Sequence, residues 1–210
     1  MFQITEDFYQ FSRLQPEGDR SDHAYLLLTS RPVLAYPGTL ADAQAFLPEM
    51  EALLGDRQPA YCLITCFRGD QVGGLAPLLQ RWPRMMFICT RHVARQLREL
   101  GLSCSIHGVT PGERITGDDF DFSFLPEDFA PEEPLIPYEA VRGILFSGDY
   151  FCQAGDSTGR PFPLQWKRIV RFVGLRQIPQ RQRLHRLRQQ LLGQKPNLAA
   201  PAHGRVLRCL

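Results

Sequence analysis

The sequence predicts a layered α/β fold, and three features point to it. Apolar runs at Tyr61-Cys62-Leu63-Ile64, Met85-Met86-Phe87-Ile88-Cys89 and Cys104 to Val109 alternate with helical stretches over short connections, the order expected of parallel strands covered by helices. Ala24-Tyr25-Leu26-Leu27-Leu28 and Pro32-Val33-Leu34-Ala35-Tyr36, separated by Thr29-Ser30-Arg31, read as a β-hairpin. Alternation across Phe120, Phe122 and Phe124 marks a half-buried antiparallel strand. With 210 residues, 44% of them hydrophobic, the chain can bury a full core and reads as one domain, 1–210, carrying a basic helical segment at about 160–195.

Taken in order, aromatic-rich Phe2 to Phe11 suggests one edge strand, followed by a polar turn at Gln15 to Asp22. Pro37-Gly38 closes the hairpin with a turn. Thr39 can cap a helix over Leu40–Leu54, whose stripe of Leu40, Phe46, Leu47, Met50, Leu53 and Leu54 faces a core; Pro48 argues for a break or kink, and Gly55 stops the helix. Strand 60–65 is followed by a helix from about Gly73 to Gln80. Thr90 then caps a helix to about Leu100, which Gly101 ends. Ile115 to Leu125 reads as one strand and Pro126 to Pro137 as an irregular loop. Gly143 to Ser147 is a strand ending at Gly148-Asp149, and the remainder reads as mainly helical until Asn197. There is no internal repeat.

Composition excludes several classes. No apolar run approaches the roughly 20 residues of a membrane-spanning helix, and Met1 to Asp7 lacks the basic start and apolar core of a signal peptide, so a cytoplasmic protein with no membrane partner is expected. Six cysteines without a CxxC pair, several in apolar runs, fit reduced buried thiols better than a disulfide framework. Net charge is +2, yet no Asp or Glu follows Asp156 while 157–210 holds twelve Lys or Arg; residues 1–156 carry the other twelve basic and all twenty-two acidic residues. The acidic part and the basic tail should attract each other.

The stretch Thr65-Cys66-Phe67-Arg68-Gly69-Asp70-Gln71-Val72-Gly73-Gly74 follows a buried strand and resembles the metal-binding loop of the metallo-β-lactamase superfamily, Thr-His-x-His-x-Asp-His-x-Gly-Gly. Thr65, Asp70, Gly73 and Gly74 keep the frame. Cys66, Arg68 and Gln71 stand where the histidines would be. Ile144 to Asp149 resembles the family's strand end with its metal-bridging aspartate, and Pro201-Ala202-His203-Gly204 its last metal-binding histidine. The opening hairpin is similar too, with Tyr36 in place of its usual Asp. The resemblance spans about 20–207 and implies a four-layer αββα fold; Leu145 to Phe151 also looks like the diiron domain of flavodiiron proteins.

In the intact pattern two metal ions lower the pKa of a bound water and so supply hydroxide. Here the first site loses its ligands to Cys66, Arg68 and Asp128, the last standing in the best match to a Pro-Gly-His turn. Arg68 cannot coordinate a cation and keeps its charge, which opposes a metal beside it. Asp70, Asp149 and His203 remain for a single zinc, iron or manganese ion, an ester, thioester or phosphoester hydrolase being the activity that such an ion implies. The contrasting expectation is no metal, with Arg68 pairing the carboxylates in a salt bridge. No catalytic residue is assigned. Cys66 reads as a packed thiol, Gln71 as a hydrogen-bonding pocket residue, and Gly73-Gly74 as a tight turn before a helix.

In the tail, Gln180 to Leu192 places Leu184, Leu187 and Leu191 on one helical face and Arg181, Arg183, Arg186 and Arg188 over the remaining arc, candidates for binding an anion or nucleic acid. The preferred expectation is a divergent protein with a degraded dinuclear centre, acting as a binding or regulatory module. Its partners would be a small molecule in the vestigial site or a second copy of the chain; nucleic acid is not favoured.

Overall fold

The computed structural model describes residues 1–15, 18–102, 104–126, 134–155, 157, 159–173, 178 and 180–210. One seven-stranded sheet runs in chain order through β1 (Phe2–Thr5), β2 (Phe8–Leu14), β3 (Ser21–Leu27), β4 (Val33–Ala35), β5 (Tyr61–Leu63), β6 (Met86–Thr90) and β7 (Ser105–Val109). Its first four strands are antiparallel and β4 to β7 are parallel. The helices α1 (Leu40–Leu54), α2 (Gly69–Val72), α3 (Leu75–Arg81) and α4 (Arg91–Glu99) belong to this half of the chain. The second sheet contains β8 (Arg114–Thr116), β9 (Asp121–Leu125), β10 (Ile136–Glu139), β11 (Ile144–Gly148), β12 (Phe162–Leu164), β13 (Leu198–Pro201) and β14 (Leu207–Cys209), in the order β12-β14-β13-β11-β10-β9-β8. Its helices are α5 (Trp166–Ile169) and α6 (Arg181–Gln194).

Period-two alternation builds the layers. Tyr25, Leu27, Val33, Ala35, Tyr61 and Leu63 point into a core shared with Phe122, Phe124, Ile144 and Phe146 of the facing sheet. Their neighbours Ala24, Leu26, Leu34 and Cys62 point the other way, under Phe46, Met50, Leu75, Leu78 and Leu97 of the helices. On the far face Leu145 and Ala199 pack with Trp166, Ile169, Leu184, Leu187 and Leu191. The result is a four-layer αββα sandwich.

Several elements differ from expectation for identifiable reasons. The N-terminal edge strand is a hairpin, β1 against β2, because Glu6-Asp7 form a polar turn. Pro48 does not interrupt α1: it lies on the exposed face, where the carbonyl it leaves without an intrahelical donor can meet water. Ile115 to Leu125 is two strands, since Gly117 donates its N–H to Phe120 across a turn and no larger residue would clear the Phe120 ring. The end of the expected irregular loop is β10, paired with both β9 and β11. The tail is not mainly helical throughout; β12 adds an edge strand beside β14. All six cysteines are free thiols, and no helix among the described residues is long and apolar enough to cross a membrane.

Candidate functional site

The three resemblance motifs meet at one edge of the sandwich because β5, β11 and β13 all end there. Strand β11 runs parallel to β13, so Asp149 and His203 leave the second sheet side by side. Strand β3 runs antiparallel to β4, which brings its first residues to the same edge. Asp22 forms an isolated bridge with His203, and the His23 N–H donates to the Ala202 carbonyl at 3.0 Å. These contacts pin the two sheets together beside the site.

Arg68 lies at the centre. Its Nε donates to Asp70 Oδ1 at 3.2 Å, and one terminal nitrogen donates to Asp70 Oδ2 at 3.0 Å and to Asp149 Oδ1 at 2.8 Å. The other terminal nitrogen pairs with Asp149 Oδ2. One guanidinium therefore serves two carboxylates from opposite sheets, bidentately to each. His203 stands behind them, its side chain 7% exposed, with Nδ1 2.8 Å from Asp22 Oδ1 and Nε2 3.5 Å from Asp70 Oδ2 and 4.0 Å from Asp149 Oδ1. These are ion contacts, and neither ring nitrogen has a partner in hydrogen-bond geometry among the described residues. Arg20 pairs with Asp22 at 2.9 Å.

The charges hold one another. Burial works against the His203 charge, but the carboxylates of Asp22 and Asp70 more than offset it and raise the ring's pKa to about 9. The facing His203 ring, aided by Arg68 against the cost of burial, holds Asp70 down at about 2. Burial likewise opposes the Arg68 charge, yet its carboxylates raise the pKa above the ordinary guanidinium value. Burial first, and then Asp149 against Arg68, pushes the Cys66 thiol up to about 12, so Cys66 is no thiolate nucleophile at neutral pH. A pH dependence follows. The His203 contribution to stability is complete below its unfolded value near 6.5 and is lost as pH rises through about 9; that of Asp70 is present above 3.8 and is lost as pH falls through about 2. Urea unfolding should therefore show wild type losing about 1–2 kcal/mol more than His203→Gln between pH 6 and pH 8, a window that lies below the titration of the cysteine thiols. Equal losses in both proteins would contradict this charge arrangement.

Gln71 does not face the pocket as a ligand would. It is buried, and its Oε1 accepts from the Thr65 N–H at 3.2 Å and the Thr65 hydroxyl at 2.8 Å, tying the loop to its own start. Thr65 in turn accepts the Leu135 N–H on its carbonyl at 2.9 Å. The glycine pair forms the expected tight turn before α3, with type I dihedrals (Gly73 φ −64°, ψ −29°; Gly74 φ −83°, ψ −2°), but with no positive φ the turn by itself does not require glycine. It permits a close approach: a Cβ on Gly74 would lie 2.4 Å from the Pro37 carbonyl oxygen and 2.8 Å from Ala43 Cβ. Asp128 lies outside the described residues.

Sequence reading missed Asp22, Arg20 and the role of Tyr36. Tyr36 is 1% exposed with φ of 55°; its hydroxyl donates to the Ala200 carbonyl at 3.1 Å and accepts from the Gly148 N–H at 2.7 Å. It thus joins the opening hairpin to the strand ends that carry Asp149 and His203. The only hint was an aromatic residue with a polar tip where the hairpin of the resembled family carries an acid. Tyr36→Phe should cost about 1–3 kcal/mol in chemical unfolding, the penalty for orphaning a buried N–H and carbonyl; no measurable change would mean that the hydroxyl does not hold this loop.

The cluster opens into a cavity of about 440 Å³ lined by Asp19, Arg20, Arg68, Asp70, Asp149 and His203 among others. The tail arginines lie elsewhere. Arg181, Arg183 and Arg186 are on the exposed side of α6, whereas Arg188 is half-buried and donates to the carbonyls of Val173 at 2.9 Å and Arg171 at 3.1 Å, so it does not join an outward cationic face.

Neither a protein-family model nor a curated protein sequence matches the chain. Solved structures do. Over 99% of this chain and 88% of theirs, fragment 1–254 of a diflavin flavoprotein from Nostoc sp. superposes with a TM-score of 0.79 at 16% identity. Rubredoxin oxygen:oxidoreductase from Desulfovibrio gigas gives 0.78 at 15% identity over 99% of this chain and 57% of its own. A metallo-β-lactamase from Pontibacter korlensis gives 0.66 at 14% identity, over 99% and 92%. The fold is that of the metallo-β-lactamases. At these identities the likeness extends to the fold alone, and the chain spans little more than half the length of the Desulfovibrio protein.

The metallo-β-lactamase fold implies a metal centre at this edge, and the donors here fit it poorly. Among the described residues no group of three or more His, Cys, Asp or Glu side chains is arranged to hold a metal ion. Both oxygens of Asp70 and of Asp149 are engaged by Arg68, and Nδ1 of His203 faces Asp22. A cation entering this site would have to displace a guanidinium that cannot give up its charge.

Proposed function

We propose that this chain is a metallo-β-lactamase-fold binding or regulatory module in which Arg68 supplies the positive charge that a metal centre would otherwise bring. The observation that carries the reading is the guanidinium shared by Asp70 and Asp149. Two carboxylates at this separation would repel each other and raise one another's pKa without a cation between them. A fixed guanidinium meets that need but polarises no water, so two-metal hydrolysis is not expected of the site. The pocket remains, with polar walls and room for a small molecule. On this reading the chain is a cytoplasmic protein that senses or holds its ligand.

Turnover tests it. Purified protein should leave aryl ester, thioester and phosphodiester substrates intact whether or not zinc, iron or manganese is added. Metal-dependent hydrolysis that is abolished by His203→Ala would replace this reading with that of a single-metal hydrolase built on Asp70, Asp149 and His203.

A further inference from the structure

A second cavity, about 470 Å³, adjoins the polar one and is walled by Phe151, Phe162, Leu164, Ile169, Phe172 and Leu207. Strands β12 and β14 run side by side there, with Phe162 opposite Leu207, and the period of two sets Phe162, Leu164 and Leu207 along one wall. Ile169 and Phe172 come from α5 and the turn Val170–Phe172 that continues it, three residues apart and so on one face. Phe172 is 71% exposed and Phe162 46%, two rings left open on the walls of one cavity. Clustered exposed apolar surface of this kind marks binding sites.

The charges around it are of one sign. No Asp or Glu occurs in 157–210. Arg160, Arg168, Arg171 and Arg205 are exposed and make no ion pair among the described residues, whereas Arg13, Arg20, Arg68, Arg81, Arg114 and Arg142 are all paired with carboxylates. Each of the four lies beside the cavity's own residues. Arg160 stands two residues before Phe162, Arg171 directly before Phe172, and Arg168 four before it, the spacing of neighbours on a helix. The Arg205 carbonyl accepts from the Gln153 side chain, which lines the cavity, at 3.4 Å. Asp149 is the one acid lining this cavity among the described residues, and Arg68 engages both of its oxygens; Asp19 and Asp70 line the polar cavity only.

We propose that this face binds single-stranded nucleic acid. A base enters the cavity and stacks on Phe172 or Phe162, and the phosphates that flank it run past the four arginines. A concave wall suits a planar base, whereas a bilayer is met by apolar groups that project from a surface. Unpaired arginines on three separate segments suit a succession of phosphates better than the single charge of a small acid. A duplex keeps its bases stacked on one another and offers none to the rings. The arginines of α6 are a poorer platform, since that helix carries no Phe, Tyr or Trp.

Fluorescence anisotropy with a labelled single-stranded RNA dodecamer, the same strand annealed to its complement, and vesicles containing phosphatidylserine test this. The single strand should bind with an affinity that falls as salt rises. Phe172→Ala, at an exposed position, should weaken it by at least about fivefold, the loss of one base stack, while Phe172→Tyr, which keeps the ring, should bind as wild type does. The duplex should be insensitive to Phe172→Ala. Replacing Arg168 and Arg171 together by Gln should flatten the fall of log K with log salt by about 1.4, two phosphate contacts at about 0.7 each. No binding of the single strand, wild-type affinity in Phe172→Ala, or a duplex weakened as much as the strand would each overturn the proposal. Vesicle binding that Phe172→Ala abolishes, without RNA binding, would overturn it in favour of an anionic membrane surface.

Discussion

Gly74→Ala should be among the most damaging single substitutions in this chain. The added Cβ would sit 2.4 Å from the Pro37 carbonyl oxygen, 2.8 Å from Ala43 Cβ and 3.1 Å from the Thr39 carbonyl oxygen, so two backbone segments would have to separate. Neither can move freely. The Gly74 N–H donates to the Gly38 carbonyl at 2.8 Å, and Thr39 is locked to Asp42 in the capping box of α1. Overpacking against backbone of this kind costs about 3 kcal/mol or more, equivalent to a fall of roughly 10 °C in Tm for a chain of this size. Gly69 provides an internal control, because nothing lies within 4 Å of its would-be Cβ and its φ is not positive. Gly69→Ala should therefore leave Tm within about 2 °C of wild type, a surface substitution of ordinary size. Equal tolerance of both substitutions would mean that the hairpin and the site loop are not packed as described.

Arg68→Met should have the second large effect, and it should be seen in two places. Removing the guanidinium leaves Asp70 and Asp149 facing each other beside the His203 ring. Arg68 is 46% exposed and Asp149 31%, so water screens part of the loss and stability should fall by only about 1–2 kcal/mol at pH 7. The larger change should be in cation binding, because the variant frees both carboxylates for coordination beside an imidazole. Zinc added to Arg68→Met should raise its Tm, while the same zinc leaves wild type unmoved. A Tm that responds to zinc equally in both proteins would show that Arg68 does not guard the site.

Much of the architecture could be read from residue patterns, and the reasons are local. The paired apolar runs at 24–28 and 32–36, the Thr39 cap and the Thr90 cap each act within a few residues, and the corresponding elements lie at those places. Misread elements were those decided at a distance or by exposure. Pro48 is harmless because its face meets water, and β12 exists because β14 supplies its partner. The same division holds at the site. Arg68, Asp70, Asp149 and His203 came from short motifs and do converge. Asp22 was overlooked because nothing in its local sequence says that β3 begins at the edge where β13 ends. The turn at Gly73-Gly74 was legible, but the need for glycine there was not, since close approach to a hairpin about 35 residues earlier leaves no local trace. The inward turn of Arg188 likewise depends on carbonyls of a preceding segment.

We propose that at this edge of the metallo-β-lactamase fold the Arg68 guanidinium takes the place of metal charge. Elemental analysis by mass spectrometry tests it most directly, on protein purified without chelator, incubated with zinc, iron and manganese in turn, and desalted. Wild type should retain metal well below stoichiometric for all three ions. One or two ions retained per chain, and lost in His203→Ala, would contradict it.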